Sequence, residues 1–191
     1  MPAIYHCCSP ALQGDTLYPL NMLKELYPAL YDREIQKYND TPARKKLPSL
    51  RIPRLNCLWN DVIFCLPLHP YYIYHELQYR SIPVSPDKAF LRIPLEYIRD
   101  LPTAIYYDSI GPSPETILEE KVEWLDHSNY RELSTVPQQT LDWYDLLVQR
   151  KLQRGFFSGI PHILVKGAIP IQGLQVISWS DPTAIEQHNH L

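Results

Sequence analysis

Glycine is scarce in this chain, with only 6 in 191 residues. A site built on a glycine-rich phosphate loop is therefore not expected, and neither G-x-G-x-x-G nor a P-loop occurs. H-E-x-x-H and G-x-S-x-G are missing too, and "HEL" at His75 to Leu77 lacks the second histidine of a zincin. No apolar run approaches the roughly 20 residues a membrane helix needs, so no membrane partner is expected. The four cysteines, Cys7, Cys8, Cys57 and Cys65, contain no C-x-x-C pair. They read as small thiols in a reducing compartment, not as a zinc or redox site, and no metal is expected from them. A net charge of −3 gives no global reason to expect nucleic acid or an anionic surface. The opening "MPAIYHCCSP" has neither the basic start nor the apolar core of a signal peptide, which makes the cytoplasm the expected location.

What is plentiful is proline, 19 residues, and tyrosine, 14 residues. Prolines interrupt helices and fix loops and edge strands. Here they alternate with apolar residues, as in "LRIPRL" and "GAIPIQ", which is the mark of an ordered chain with rigid turns. A length of 191 residues and an apolar fraction of 45% suit a single domain spanning 1–191.

The pattern predicts a strand at Ala3–Cys8 and two short helices in Tyr18–Tyr38, split near Leu26 by Pro28. "DTPARKKLPSLRIPRLN" reads as a loop carrying Arg44, Lys45, Lys46, Arg51 and Arg54. Strands are expected at Val62–Leu66, in "AFLRIP" and in "TAIYYDS", with a turn or short helix after Pro94. "SPETILEEKVEWLDH" reads as a helix, with Ser113 as N-cap and Pro114 in the first turn. A longer helix follows Pro137, with Leu141, Tyr144, Val148 and Leu152 as its apolar stripe and Leu147 beside it. "HILV" and "LQVISW" close the chain as strands. The order predicts an α+β fold with a mixed, mainly antiparallel sheet.

Read together, these segments resemble the DarT-like family of DNA-targeting ADP-ribosyltransferases. "IYHCCS" looks like the Tyr-His opening strand of that fold. "LWNDVIFCLPLHPYYIY" is similar to the family's D-Y-V-P-F-Y-F-x-P-R-S-P-M-L-Y segment, with Asp61, Phe64, Pro67, Pro70 and Tyr74 in comparable places. "AFLRIPLEYIRDLPTAIYYDSIGPSPET" is similar to its strand, turn, strand and Asp-Gly-Asn-Ala-type turn. "DWYDLLVQRKLQRGFFSGIPHILVKGAIPIQGLQVIS" is similar to its closing helix, A-E-x-L-V strand and final strand. The resemblance implies an ADP-ribosyltransferase-like fold: mixed, mainly antiparallel sheets around a central cleft with flanking helices. It also implies NAD as substrate, DNA or RNA as target, and an antitoxin-like protein partner. Ala3–Cys8 and His162–Val165 would then lie in one sheet region flanking the cleft.

Two departures touch the chemistry. His162 stands at the family's catalytic Glu, and His69 at its NAD-contacting Arg. Only His6 matches outright. In this reaction the bond to nicotinamide breaks through an oxocarbenium-like state that a carboxylate stabilises. A neutral imidazole brings no compensating charge, and His for Arg removes a bidentate phosphate clamp. The catalytic candidates are therefore His162, His69 and a shifted carboxylate, Glu132 first and Glu123 second. His6, Tyr5, Ser9, His69 and Tyr74 are the candidates for contacting NAD or another nucleotide, and Arg44, Lys45, Lys46, Arg51 and Arg54 for nucleic acid. Tyr71, Tyr72 and Tyr74 are weighed as base-stacking or packing residues. Three functions stay open. One is an active transferase, and another a catalytically silent binder of nucleotide, nucleic acid or protein. The third is a histidine-based phosphodiester or metal site, if His6, His69 and His162 share one cleft.

Overall fold

The computed structural model describes residues 1–9, 14–111, 113–152 and 154–182. Its strands are β1 (Ala3–Cys8), β2 (Thr16–Leu17), β3 (Arg51–Ile52), β4 (Cys57–Leu58), β5 (Val62–Cys65) and β6 (Ala89–Pro94), followed by β7 (Thr103–Tyr106), β8 (Val122–Trp124), β9 (His162–Lys166), β10 (Ile169–Pro170) and β11 (Val176–Ser178). The helices are α1 (Leu20–Leu26), α2 (Pro28–Glu34), α3 (Pro42–Lys46), α4 (Pro70–Tyr79) and α5 (Gln138–Arg150). The fold is α+β. One sheet runs β1-β6-β11 and a second β5-β9-β7-β8, each antiparallel throughout. None of the described helices is long and apolar enough to cross a membrane.

The two sheets touch where Tyr5 of β1 pairs with Leu66, just past β5, through hydrogen bonds of 3.0 and 2.8 Å. Ala3–Cys8 and His162–Val165, expected in one sheet region, meet there as strands of adjoining sheets. They belong to two sheets, with β5 between them. Alternation along β1 splits its side chains between two cores. Tyr5 joins Phe90, Tyr144 and Trp179 under α4 and α5, whereas Ile4 joins Ile63, Ile163 and Val165 between the sheets. A third core, around Ile52, Ala104 and Leu164, covers the other face of the second sheet.

Several local readings need correction. Residues 113–127 form no α-helix: a 3-10 turn at Glu119–Lys121 leads into β8, because fully buried Val122 pairs with Tyr106 and strand pairing outweighs local helix preference. The basic loop contains a helical turn, α3, started by Thr41, whose side chain caps Arg44 N–H at 3.2 Å. Residues 70–79, given no element from the sequence, are helical. Pro70 opens the helix behind His69, and Pro70, Ile73 and Leu77 are its buried side. On α5 the buried residues are Thr140, Tyr144 and Leu147, while Val148 is 49% exposed, so the buried side keeps Tyr144 and Leu147 but is centred roughly a fifth of a turn from where the periodicity placed it.

Helix α5 also sets the approach to β9. Trp143 Nε1, Tyr144 Oη, Thr140 Oγ1 and Gln139 Nε2 donate in turn to the carbonyls of Gly155, Phe156, Ser158 and Gly159, at 2.9, 2.5, 3.0 and 2.5 Å. Gly159 adopts φ +80°, and a Cβ there would stand 2.7 Å from Ile110 Cδ1 and 2.9 Å from Thr140 Oγ1. Only glycine fits this turn, which delivers His162 to the head of its strand.

Candidate functional site

On β9 the side chains of His162 and Leu164 share a face, and register puts Tyr106 beside His162 and Phe64 beside Leu164. That face carries an unbroken run of rings. Trp59 lies 4.5 Å from Phe64 and 6.0 Å from Tyr106, and Phe64 lies 6.1 Å from His162, centroid to centroid. Tyr38 accepts a hydrogen bond from Trp59 Nε1 at 3.0 Å. His6 approaches from the neighbouring strand, with Nδ1 2.9 Å from the Phe64 carbonyl. Trp59, Phe64, His162 and His6 are all half-buried, so the run forms a ledge that solvent partly reaches.

A carboxylate that the sequence reading passed over stands at the end of this ledge. Asp108, two residues past Tyr106, accepts from Ser109 N–H at 2.9 Å and from the Tyr106 hydroxyl and the Gly159 N–H. Burial pushes its pKa up; these hydrogen bonds and the Lys121 charge pull it back. The signal was available in "TAIYYDS": an Asp directly after a strand that pairs with "HILV" falls beside the head of that strand.

The imidazoles on the ledge are neutral. Burial lowers the pKa of His162 to about 4, and the adjacent Ile160 backbone opposes this only partly. His162 Nδ1 is shut from water and has no well-aligned hydrogen-bond partner among the described residues, an arrangement that asks for a functional or solvent explanation. Burial lowers His6 as well, with Lys37 adding to the effect. An unfolded histidine near 6.5 takes up a proton that folded His162 refuses until about pH 4. Stability is thus lost as pH falls from about 6.5 to about 4, by up to about 3 kcal/mol, and none of this cost remains above 6.5. Asp108 acts in the opposite sense within the carboxylate range, because its raised pKa makes the folded state bind the extra proton. His162→Asn should flatten the acid limb of a stability-versus-pH curve measured by urea unfolding; an unchanged limb would remove His162 as its source.

The three histidines do not share one cleft. His69 sits 5.1 Å from Tyr5, edge-on, and 6.4 Å from Tyr72, on the face of β1 opposite to His6. Its Nδ1 accepts from Tyr71 N–H at 3.2 Å, capping α4. Among the described residues, no group of three His, Cys, Asp or Glu side chains is placed to hold a metal ion. The three-histidine metal reading is thereby set aside.

The other candidates are spread out. Glu132 accepts from Ala3 N–H and from the Tyr5 hydroxyl, both at 2.7 Å, with Arg92 also at that hydroxyl. Tyr5 itself is fully buried. Tyr74 packs 5.5 Å from Trp179 against the first core. Ser9 is exposed just beyond β1. Glu123 accepts from the Tyr107 hydroxyl at 3.1 Å on the outer strand β8. Arg44 pairs with Asp40 at 2.6 Å and lies 5.8 Å from the Tyr38 ring, while Lys45 and Lys46 are exposed on α3. Arg51 lies on β3 and Arg54 in the turn between β3 and β4.

No protein-family model matches the chain, and no curated protein matches it. A solved structure of Thermosipho africanus DarTG in complex with ADP-ribose is similar over 100% of this chain and 47% of its own, at 12% identity and a TM-score of 0.39. The chain thus spans about half the length of that protein. A likeness at this level leaves the functional argument to the residues themselves.

Proposed function

We propose that the chain is an ADP-ribosyltransferase-like protein that takes NAD on the ledge of His6, Phe64, Trp59, Tyr106 and His162 and transfers ADP-ribose to nucleic acid. The observation that carries this reading is adjacency. "IYH", "VIFC" and "HILV", the segments on which the family resemblance rests, come from three distant parts of the chain and lie side by side as β1, β5 and β9. A flat nicotinamide or adenine ring suits a ledge of aromatic faces, where stacking contributes about 1–3 kcal/mol per base.

In the reaction the bond from C1′ of the ribose to nicotinamide breaks, and its electron pair leaves with the ring. C1′ then accepts a lone pair from an oxygen or nitrogen of the acceptor, which gives its proton to solvent. His162, neutral, holds a ribose hydroxyl by a hydrogen bond. Asp108, when ionised, supplies the negative charge that an imidazole cannot. The test is nicotinamide release and transfer of label from NAD to single-stranded DNA or RNA.

One observation favours a second reading. The group at the head of β9 is a neutral histidine, so a protein that binds the nucleotide without turning it over fits the same ledge. NAD binding with neither nicotinamide release nor labelling would decide for it.

A further inference from the structure

A separate cleft of about 350 Å³ opens beneath the β3–β4 turn, lined among others by Ser49, Arg51, Arg54, Asn56, Thr116 and Ile117. Its lining includes two arginines and no carboxylate, in a chain whose net charge is −3. Two non-glycine residues of the turn, Arg54 at φ 62° and Asn56 at φ 46°, hold left-handed backbone, a strain that persists only where the surroundings fix it. Both arginines are braced through one nitrogen. Arg54 Nε donates to the Val122 carbonyl, and one Arg51 Nη donates to Asn56 Oδ1 at 2.7 Å. Among the described residues neither guanidinium makes another hydrogen bond, so each keeps donors for a ligand. With Asn56 Oδ1 taken by Arg51, its amide NH₂ remains a donor, and the exposed Thr116 hydroxyl stands on the facing segment. Braced guanidinium forks on a rim without acid are the chemistry of phosphate recognition.

We propose that this cleft is a phosphate subsite, taking either a phosphodiester of a nucleic-acid strand or the phosphates of a free nucleotide. It stands independently of catalysis on the ledge. The test is fluorescence anisotropy with a labelled single-stranded oligonucleotide and, as a separate arm, labelled ADP. Arg51→Gln should weaken one of these probes about tenfold and, for the oligonucleotide, lower the slope of log K against log salt by roughly 0.7. Thr116→Glu, an exposed change that leaves both arginines braced, should weaken the same probe through repulsion. Loss confined to the oligonucleotide assigns the site to a strand, and loss confined to ADP assigns it to a nucleotide. Unchanged binding of both probes by both variants overturns the proposal. Loss of NAD labelling with intact Arg51 dependence would instead count against the ledge alone.

Discussion

Asp108→Asn is expected to lower NAD-dependent labelling by roughly 10²–10³-fold, the usual cost of removing one electrostatic group that meets charge developing in a transition state. Asparagine keeps the size of the side chain and one accepting oxygen, but its NH₂ confronts one of the donors Ser109 N–H, Tyr106 hydroxyl and Gly159 N–H. A stability loss of about 1–2 kcal/mol is therefore expected beside the larger effect on rate, and labelling is compared per folded molecule. The charge being removed is one that burial already disfavours, which limits that loss. A nicotinamide-release assay at saturating NAD separates the outcomes. Release that falls while NAD affinity holds places Asp108 at the reacting carbon. Release that persists in the variant removes Asp108 from the mechanism.

The second large effect concerns Glu132 and has a different character. Its carboxylate ties the first residues of β1 to the segment that runs beside Leu68, through Ala3 N–H and the Tyr5 hydroxyl. The neighbouring Tyr130 hydroxyl donates to the Ala3 carbonyl at 3.0 Å. Glu132→Gln replaces one accepting oxygen by an NH₂ that confronts a donor, and it discharges both bonds. A loss of about 2–3 kcal/mol of stability is expected from two charge-assisted hydrogen bonds. Labelling per folded molecule should survive. A variant with wild-type urea stability but no labelling would instead put Glu132 in the chemistry, as the sequence suggested.

Much of the framework was legible in the sequence because it is local. Strand β1 follows from its run of β-prone residues, the α1–α2 break from Pro28, and α5 from its period and from Pro137. What escaped was decided by distant partners. Residues 113–127 carry a good helix start, yet Val122 is claimed by β7. The helix α4 was hidden by its tyrosines, which suit strands as well as helices, although Pro70, Ile73 and Leu77 sit at helical spacing. For the site, the sequence grouped His6, His69 and His162 in one cleft, and of these His6 and His162 each lie against Phe64. His69 was not separable from them, because its face depends on how Tyr5 is oriented at the junction of two sheets. Asp108 was missed because its partner Gly159 is some fifty positions away, and only the β7–β9 pairing brings them together.

NAD binding at the ledge is measured most directly by thermal unfolding of the wild-type protein and of Phe64→Ala in rising NAD. The wild-type melting temperature should climb with NAD, reaching a stabilisation of about 2.7 kcal/mol at 100 times Kd. Phe64→Ala, which removes the ring between Trp59 and His162, should lose most of that response. A wild-type protein whose melting temperature stays fixed at millimolar NAD, or a Phe64→Ala variant that responds as strongly as wild type, would contradict the placement of the nucleotide between β1, β5 and β9.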